Sequence, residues 1–281
     1  MSERKSYPFY GGTLAFLRTR LLGAVLMPAL IGAALAARQG VFHWLRFVLI
    51  LVGLAAAEML NLLGSDYQAF RNPGRTAPQL PGNPVFSSQR LPASRLPLVL
   101  APVALVGLAV LLYFTITVGI GVLVFLLAAG IIGALYVFSP FRYAFLYTAF
   151  IPPLISGGVY LAMTGRLNGL AFAVGVPITL ISLAVIVGYR VMYEQAGAQR
   201  RRSRAVVLAL YCLAGINVVL YVPAAIYPKV GLAVVVPIAV FLWSVGKVSA
   251  REQKDPVPAT ALGVMMHTTT CLAIAAALWL G

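Results

Sequence analysis

The chain holds six acidic residues among 281, and three of them stand at the ends of long apolar stretches, where charge is expensive. Glu58 and Asp66 lie near the end of one stretch and Glu194 closes another, whereas Glu3, Glu252 and Asp255 fall in terminal or connecting segments. Ionisable groups at a membrane edge are functional candidates by default. Carboxylates facing one cavity commonly hold a divalent cation, and Mg²⁺ in turn binds diphosphate oxygens. Arginines near the same segments, Arg71, Arg75, Arg142, Arg190 and Arg200–Arg202, are suited to bidentate contacts with the remaining phosphate oxygens. Tyr67, Tyr136, Phe138, Tyr189 and Tyr193 are aromatic faces of the kind that stabilise a carbocation in a dry site. The chemistry these types support is ionisation of an allylic diphosphate, with one Mg²⁺ on Asp66 and Glu194 and arginines on the phosphates. Asp66 and Glu194 also admit a purely structural role, paired with arginines at the headgroup level. Glu58 lies about two helical turns before Asp66 and serves either the site or a buried hydrogen bond; Asn61, between them, is a secondary candidate beside it.

Such groups need elements to hold them, and composition fixes their class. Hydrophobic residues make up 61% of the chain and the mean hydropathy is +0.95, more than a soluble domain can cover with polar surface. Nine apolar runs are long enough to cross about 30 Å of hydrocarbon: 19–37, 42–63, 96–116, 118–138, 145–164, 168–191, 204–226, 229–247 and 258–280. The expected fold is a single all-α membrane domain over 1–281, built of nine transmembrane helices. Met1–Gly12 shows no cleavage-site pattern, so no signal peptide is expected. With the N-terminus inside, 17 of the 21 Lys and Arg residues are cytoplasmic and four (Arg38, Arg46, Arg166 and Lys229) are not. That bias places the N-terminus in the cytoplasm, as in a multi-pass protein of a bacterial-type inner membrane.

The net charge of +15 follows mainly from this topology and from anionic lipid headgroups, with an anionic substrate at the cytoplasmic face as the further reading. The basic residues are spread over connections between spans, so nucleic acid is not an expected partner. Cys212 and Cys271 lie within spans and read as small packing residues. His267 reads as a hydrogen-bonded structural residue and His43, beside Trp44, as an interface anchor. Two cytoplasmic connections, about 65–95 and 192–204, are longer and richer than the rest, and long connections in compact proteins are commonly functional. They follow Asp66-Tyr67 and Tyr193-Glu194, four spans apart, and divide the chain into two loosely repeat-like blocks, about 13–138 and 145–280.

Several segments resemble the UbiA superfamily of intramembrane prenyltransferases, most nearly its 1,4-dihydroxy-2-naphthoate polyprenyltransferase-type branch. Arg18-Thr-Arg-Leu-Leu through Pro28 is similar to the family's R-x-x-T-L-x-x-x-x-x-P opening, with Leu21 in place of Thr. Asn83–Leu91 resembles the R-P-x-x-S-G-R segment, and Tyr136–Arg142 and Gly158–Leu167 resemble the branch around its fourth and fifth spans. The Asp-rich motifs are eroded. Ser65-Asp-Tyr-Gln-Ala69 stands where N-D-Y-x-D is expected, and Glu194-Gln-Ala-Gly-Ala198 where D-x-x-x-D is expected. Pro73, Gly74 and Arg75 occupy the neighbourhood of a further Asp.

The resemblance implies transfer of a polyprenyl group from a prenyl diphosphate to a lipophilic acceptor at the cytoplasmic side, with a place in quinone biosynthesis. Family sites use two Mg²⁺ ions, which takes about four carboxylates. One Asp and one Glu suit a single ion, with the arginines supplying the missing positive charge. The alternative is a non-catalytic relative that binds an isoprenoid or quinone, and a transporter built of duplicated helical blocks is a third reading.

Overall fold

The computed structural model describes residues 19–71, 95–138, 140–193, 198–224, 226–236, 238–240 and 257–281. Among them every regular element is helical. We number the helices α1 (Thr19–Arg38), α2 (Trp44–Arg71), α3 (Leu96–Thr117), α4 (Ile120–Phe138), α5 (Pro140–Thr164), α6 (Gly169–Ala173), α7 (Val176–Tyr193), α8 (Ala198–Tyr221) and α9 (Val257–Leu280); a 3-10 helix, Lys229–Val234, lies between α8 and α9. Stretches within α2, α3, α4 and α5 are long and apolar enough to cross a membrane, and shorter apolar helices lie within α1, α7, α8 and α9. The described residues are those of an all-helical membrane protein.

Consecutive helices pack side by side, α2 on α3, α3 on α4, α4 on α5 and α7 on α8, while α1 packs against α2, α5 and α9. Buried residues of α1, α5, α7 and α9, among them Ile31, Leu35, Met163, Ile178, Ile181, Ile274 and Leu278, form the core. Outward residues of α3 and α4, such as Leu105, Leu112, Val124 and Ile131, are exposed, as lipid-facing side chains are in a span. The α1–α5 crossing is close because both helices present small residues there. A Cβ built at Gly32 would stand 2.3 Å from the Ser156 carbonyl oxygen.

Pro152 and Pro153 interrupt the hydrogen-bond ladder of α5. Proline lacks an N–H, so Pro153 leaves the Ala149 carbonyl without its helical donor. The Thr179 hydroxyl of α7 takes that place at 3.5 Å, the kind of replacement that makes proline tolerable in a span. Ser156, one turn later, donates to the Ala171 carbonyl at 2.8 Å and ties α5 to α6.

One end of the bundle is defined by Arg38, which donates to the Ile226 carbonyl at 3.2 Å, and by Arg46, which donates to the Met163 carbonyl at 3.1 Å. Tyr160 hydrogen-bonds Gln39 at the same end, and Phe42 stacks edge-on against Trp279 at 5.1 Å. Gly40 (φ 75°) and Gly165 (φ 71°) close α1 and α5 there in the left-handed conformation that suits helix C-termini. Trp44, 70% exposed, and Trp279 form an interfacial aromatic belt of the kind found at headgroup level. All four basic residues assigned by sequence to the non-cytoplasmic side, Arg38, Arg46, Arg166 and Lys229, belong to this end or its connections.

Candidate functional site

The antiparallel path carries the candidate residues to the other end. There α2, α4 and α7 finish and α1, α3, α5, α8 and α9 begin. Asp66 and Tyr67 lie in the last turns of α2, Arg71 closes it, Arg142 sits in the first turn of α5, and Arg190 and Tyr193 lie in the last turn of α7. Because α5 packs against both α2 and α7, Arg142 belongs to the helix that separates the two acidic termini. Glu194 and Arg75 lie outside the described residues. For Asp66, Arg142, Arg190 and Tyr193 the helical backbone is described and the side chains are not.

The helix α2 runs on to Arg71, so Asp66 and Tyr67 are helical where the sequence reading opened a connection. Likewise α8 begins at Ala198, and Arg200–Arg202 and Arg204 are on its first turns. The residues that open α8 explain this: Ala198, Gln199 and the arginines after them are strong helix formers, with no Gly or Pro to break the run.

Tyr67 is half-buried. It packs with Leu63, Leu96, Met59, Val99 and Leu100 in the seam between α2 and α3, and the Arg71 guanidinium lies 5.8 Å from its ring centroid. This is a cation–π contact at the i,i+4 spacing that brings helical side chains together. Phe138 is 73% exposed at the end of α4. Tyr136 does point inward. Its ring stacks on that of Tyr147 at 4.7 Å with the planes tilted by 31°.

Tyr147 was not among the residues picked out by sequence, and the structure makes it central. Its hydroxyl donates to Glu58 Oε2 at 2.9 Å, and the Asn61 side chain also hydrogen-bonds it. Glu58 is 5% exposed, and it makes the buried hydrogen bond that its sequence position allowed. Asn61 sits against α4, where a Cβ at Gly133 would stand 3.0 Å from its Oδ1; glycine is what lets the amide fit. Gly64 similarly admits Val137, whose Cγ1 would be 3.0 Å from a Cβ there. Glu58, Asn61, Tyr136 and Tyr147 thus join α2, α4 and α5 in one polar knot inside the span. The signal in the sequence was a tyrosine five residues beyond Arg142, and it has meaning only once α5 is laid against α2.

Depth separates this knot from the charged end. Glu58 precedes Asp66 by eight residues, about 12 Å of helical rise, and Tyr147 follows Arg142 by five residues, about 7–8 Å. The site therefore has layers: ionisable groups at the bundle end, a hydrogen-bonded carboxylate and phenols beneath, and apolar core below that. Among the described residues no group of three or more His, Cys, Asp or Glu side chains is placed to hold a metal ion.

His267 and Cys271 of α9 lie deeper still. The thiol approaches His267 Nδ1 at 3.9 Å, which accounts for one ring nitrogen. His267 Nε2 and the Thr270 hydroxyl have no hydrogen-bond partner among the described residues. Cys212 is exposed on α8 and Cys271 is buried, and His43 is exposed beside Trp44.

The described helices thus form an apolar bundle with Asp66, Arg71, Arg142 and Arg190 at one end and a polar knot of Glu58, Asn61, Tyr136 and Tyr147 just inside it. No family model and no curated protein matches the sequence. Among solved structures, that of digeranylgeranylglyceryl phosphate synthase, an enzyme of membranes, superposes with a TM-score of 0.61, covering 95% of this chain and 98% of that one at 14% identity. That enzyme is a UbiA-superfamily prenyltransferase. The chain shares its fold over nearly its whole length.

Proposed function

We propose that the chain transfers a polyprenyl group from a prenyl diphosphate to a lipophilic acceptor, at the cytoplasmic face of a bacterial-type inner membrane. The observation that carries this reading is the end-to-end likeness to a UbiA-type fold, with Asp66, Arg71, Arg142, Arg190 and the segment entering Glu194 at one end of the bundle.

The residues there suit a reduced version of such a site. Asp66 and Glu194 are oxygen donors flanking the two helices that α5 separates, and two carboxylates with phosphate and water oxygens fit the octahedral preference of one Mg²⁺. When bound, that ion neutralises charge building on the departing diphosphate. Arg71, Arg75, Arg142 and Arg190 hold the phosphate oxygens by bidentate contacts. The apolar spans keep water from the carbocation, and Tyr136 presents an aromatic face near it, with Tyr193, in the last turn of α7, as the further candidate. The Arg71–Tyr67 contact keeps that guanidinium at the rim, on the α3 side of the site. Nine spans with the N-terminus inside complete the arrangement, and quinone biosynthesis is the setting that the resemblance of the chain's motifs favours.

Ala69 and Ala198 favour a second reading, a non-catalytic protein that binds an isoprenoid or quinone. Diphosphate release by purified protein, with and without Mg²⁺, tests both. Mg²⁺-dependent release that Asp66→Ala abolishes is the expected result. Binding of geranylgeranyl diphosphate that persists in chelator, with no release from any donor, would establish the second reading instead.

A further inference from the structure

The charged end and the polar knot leave one buried polar pair out of use, midway along α9. That helix begins at Val257, at the charged end, and runs to Leu280. His267 lies ten residues in and Thr270 thirteen, about 15 and 20 Å of helical rise. Trp279, at the opposite interface, stands about 14 Å beyond Thr270. Both side chains belong to the interior, His267 at 4% exposure and Thr270 at 0%. Neither His267 Nε2 nor the Thr270 hydroxyl has a hydrogen-bond partner among the described residues. Buried polar groups are nearly always paired, so two orphans on one helix call for an explanation.

We propose that His267 and Thr270 hold a carbonyl oxygen of a quinone in the middle of the bundle. Three observations carry this. First, His267 Nε2 is placed to donate. The Cys271 thiol lies 3.9 Å from His267 Nδ1, and of that pair the ring nitrogen is the better acceptor. A proton accepted at Nδ1 leaves the ring's own proton on Nε2. Second, Thr270 is set apart from its fellows. Thr115, Thr117, Thr164 and Thr269 each spend their hydroxyl on the carbonyl four residues back, and Thr270 does not. His267 and Thr270 stand at i,i+3, which sets them on one face of α9, and two donors on one face suit the two lone pairs of a carbonyl oxygen. Third, charge and depth choose the carrier. The α9 sequence holds no charged residue, and those of α1 and α7, the spans packed against it, lie in their terminal turns. An ionic ligand would have no counter-charge there. Ester carbonyls of glycerolipids stay near the two interfaces, some 15 Å from mid-bilayer. A quinone carries its carbonyls on a neutral ring that enters the hydrocarbon.

The bilayer itself is the route of entry. Met265, Thr269 and Leu272, on the other side of α9, are exposed, as lipid-facing residues are. One helix thickness therefore separates the pair from lipid. Binding there makes and breaks no covalent bond, and it uses a part of the bundle that diphosphate chemistry leaves alone. The inference goes beyond the prenyltransferase reading and stands or falls apart from it.

The test titrates the full chain, in nanodiscs of neutral phospholipid, with decylubiquinone labelled with ¹³C at its carbonyls; empty nanodiscs give the partition blank. The expected result is retention above that blank, with a carbonyl infrared band at lower frequency than that of quinone free in lipid. A lost hydrogen bond weakens binding about 3–10-fold. Thr270→Val and His267→Phe should each do so, and the double variant should return the band to its lipid frequency. A second measurement guards against a folding defect. Without quinone, Thr270→Val should unfold at the same or higher denaturant concentration than the unaltered chain, because its hydroxyl has no partner to lose. Retention no better than that of empty discs overturns the inference, and so does binding that the double variant leaves unchanged. Lower stability of Thr270→Val without quinone overturns it too, since the hydroxyl would then serve a bond within the protein or a buried water. Diphosphate release, followed on the same samples, decides the prenyltransferase reading separately.

Discussion

Replacing Gly32 with alanine probes the contact that sets α5 against α1, and hence the depth at which Arg142 and Tyr147 are held. The new Cβ would stand 2.3 Å from the Ser156 carbonyl oxygen and 3.1 Å from Val159 Cβ. Carbon–oxygen contacts across helices settle near 3.3–3.6 Å, so the two backbones must part by about 1 Å. The obstacle is backbone, which no rotamer change can move aside. Overpacking of this kind costs about 1–3 kcal/mol. Alanine also favours the helix over glycine by about 0.5–1 kcal/mol, which partly masks the strain. Gly130→Ala on the lipid-facing side of α4 is the matched control, because nothing lies within 4 Å of a Cβ there. The propensity gain is common to both variants and cancels between them. Their difference in unfolding free energy is therefore the crossing strain itself, about 1–3 kcal/mol with Gly32→Ala the less stable. Denaturant unfolding in detergent, followed by circular dichroism, measures it. A difference below about 0.5 kcal/mol, or of opposite sign, would refute the close crossing.

Three further substitutions test how the bundle satisfies its backbone carbonyls. Thr179→Val removes the hydroxyl that serves the Ala149 carbonyl, and should destabilise by about 0.5–1.5 kcal/mol. Thr115→Val should cost little by the same assay, since the Leu111 carbonyl that Thr115 contacts lies within a continuous helix. Tyr227→Phe strips the donor from the Val174 carbonyl, a buried contact of 3.0 Å, and an unsatisfied buried acceptor costs about 1–3 kcal/mol; unchanged stability would mean another donor takes its place.

Much of the fold was legible because hydrocarbon imposes length and composition. The apolar runs at 96–116 and 118–138 return as α3 and α4 with nearly the same bounds. The run at 168–191 does not return as one helix. It breaks between α6 and α7, where Gly175 lets α5 approach; a Cβ there would lie 2.8 Å from Ser156 Oγ and 3.0 Å from Pro153 Cα. That break is a tertiary event, and hydrophobic periodicity carries no trace of it. The run at 229–247 opens as a 3-10 helix, which apolar content cannot distinguish from an α-helix. The knot was half legible. Glu58 and Asn61 drew notice as polar residues in an apolar span, but Tyr147 is 89 positions from Glu58, and nothing local pairs them. Tyr67 stands about 100° around the helix from Asp66, toward α3.

The alanines at the bundle end give the sharpest test of whether this is a reduced site or an abandoned one. Ala69 follows Asp66 by three residues in the same helix, a spacing that sets two side chains on one face. Ala198 opens α8, four residues beyond Glu194. Aspartates at both positions would rebuild carboxylate pairs on either side of α5, at a wet helix end where added charge costs little stability. If the unaltered site works with one Mg²⁺, its diphosphate release should rise with Mg²⁺ concentration along a simple one-ion saturation curve. The Ala69→Asp, Ala198→Asp protein should then respond more steeply and at lower Mg²⁺, because about four carboxylates suit a second ion. A site that merely cradles an isoprenoid offers nothing for those carboxylates to improve, and the added negative charge should weaken its hold on a diphosphate in chelator. Steeper Mg²⁺ dependence therefore supports a working enzyme with a pared metal site. Weaker binding with no release in either protein removes the case for catalysis.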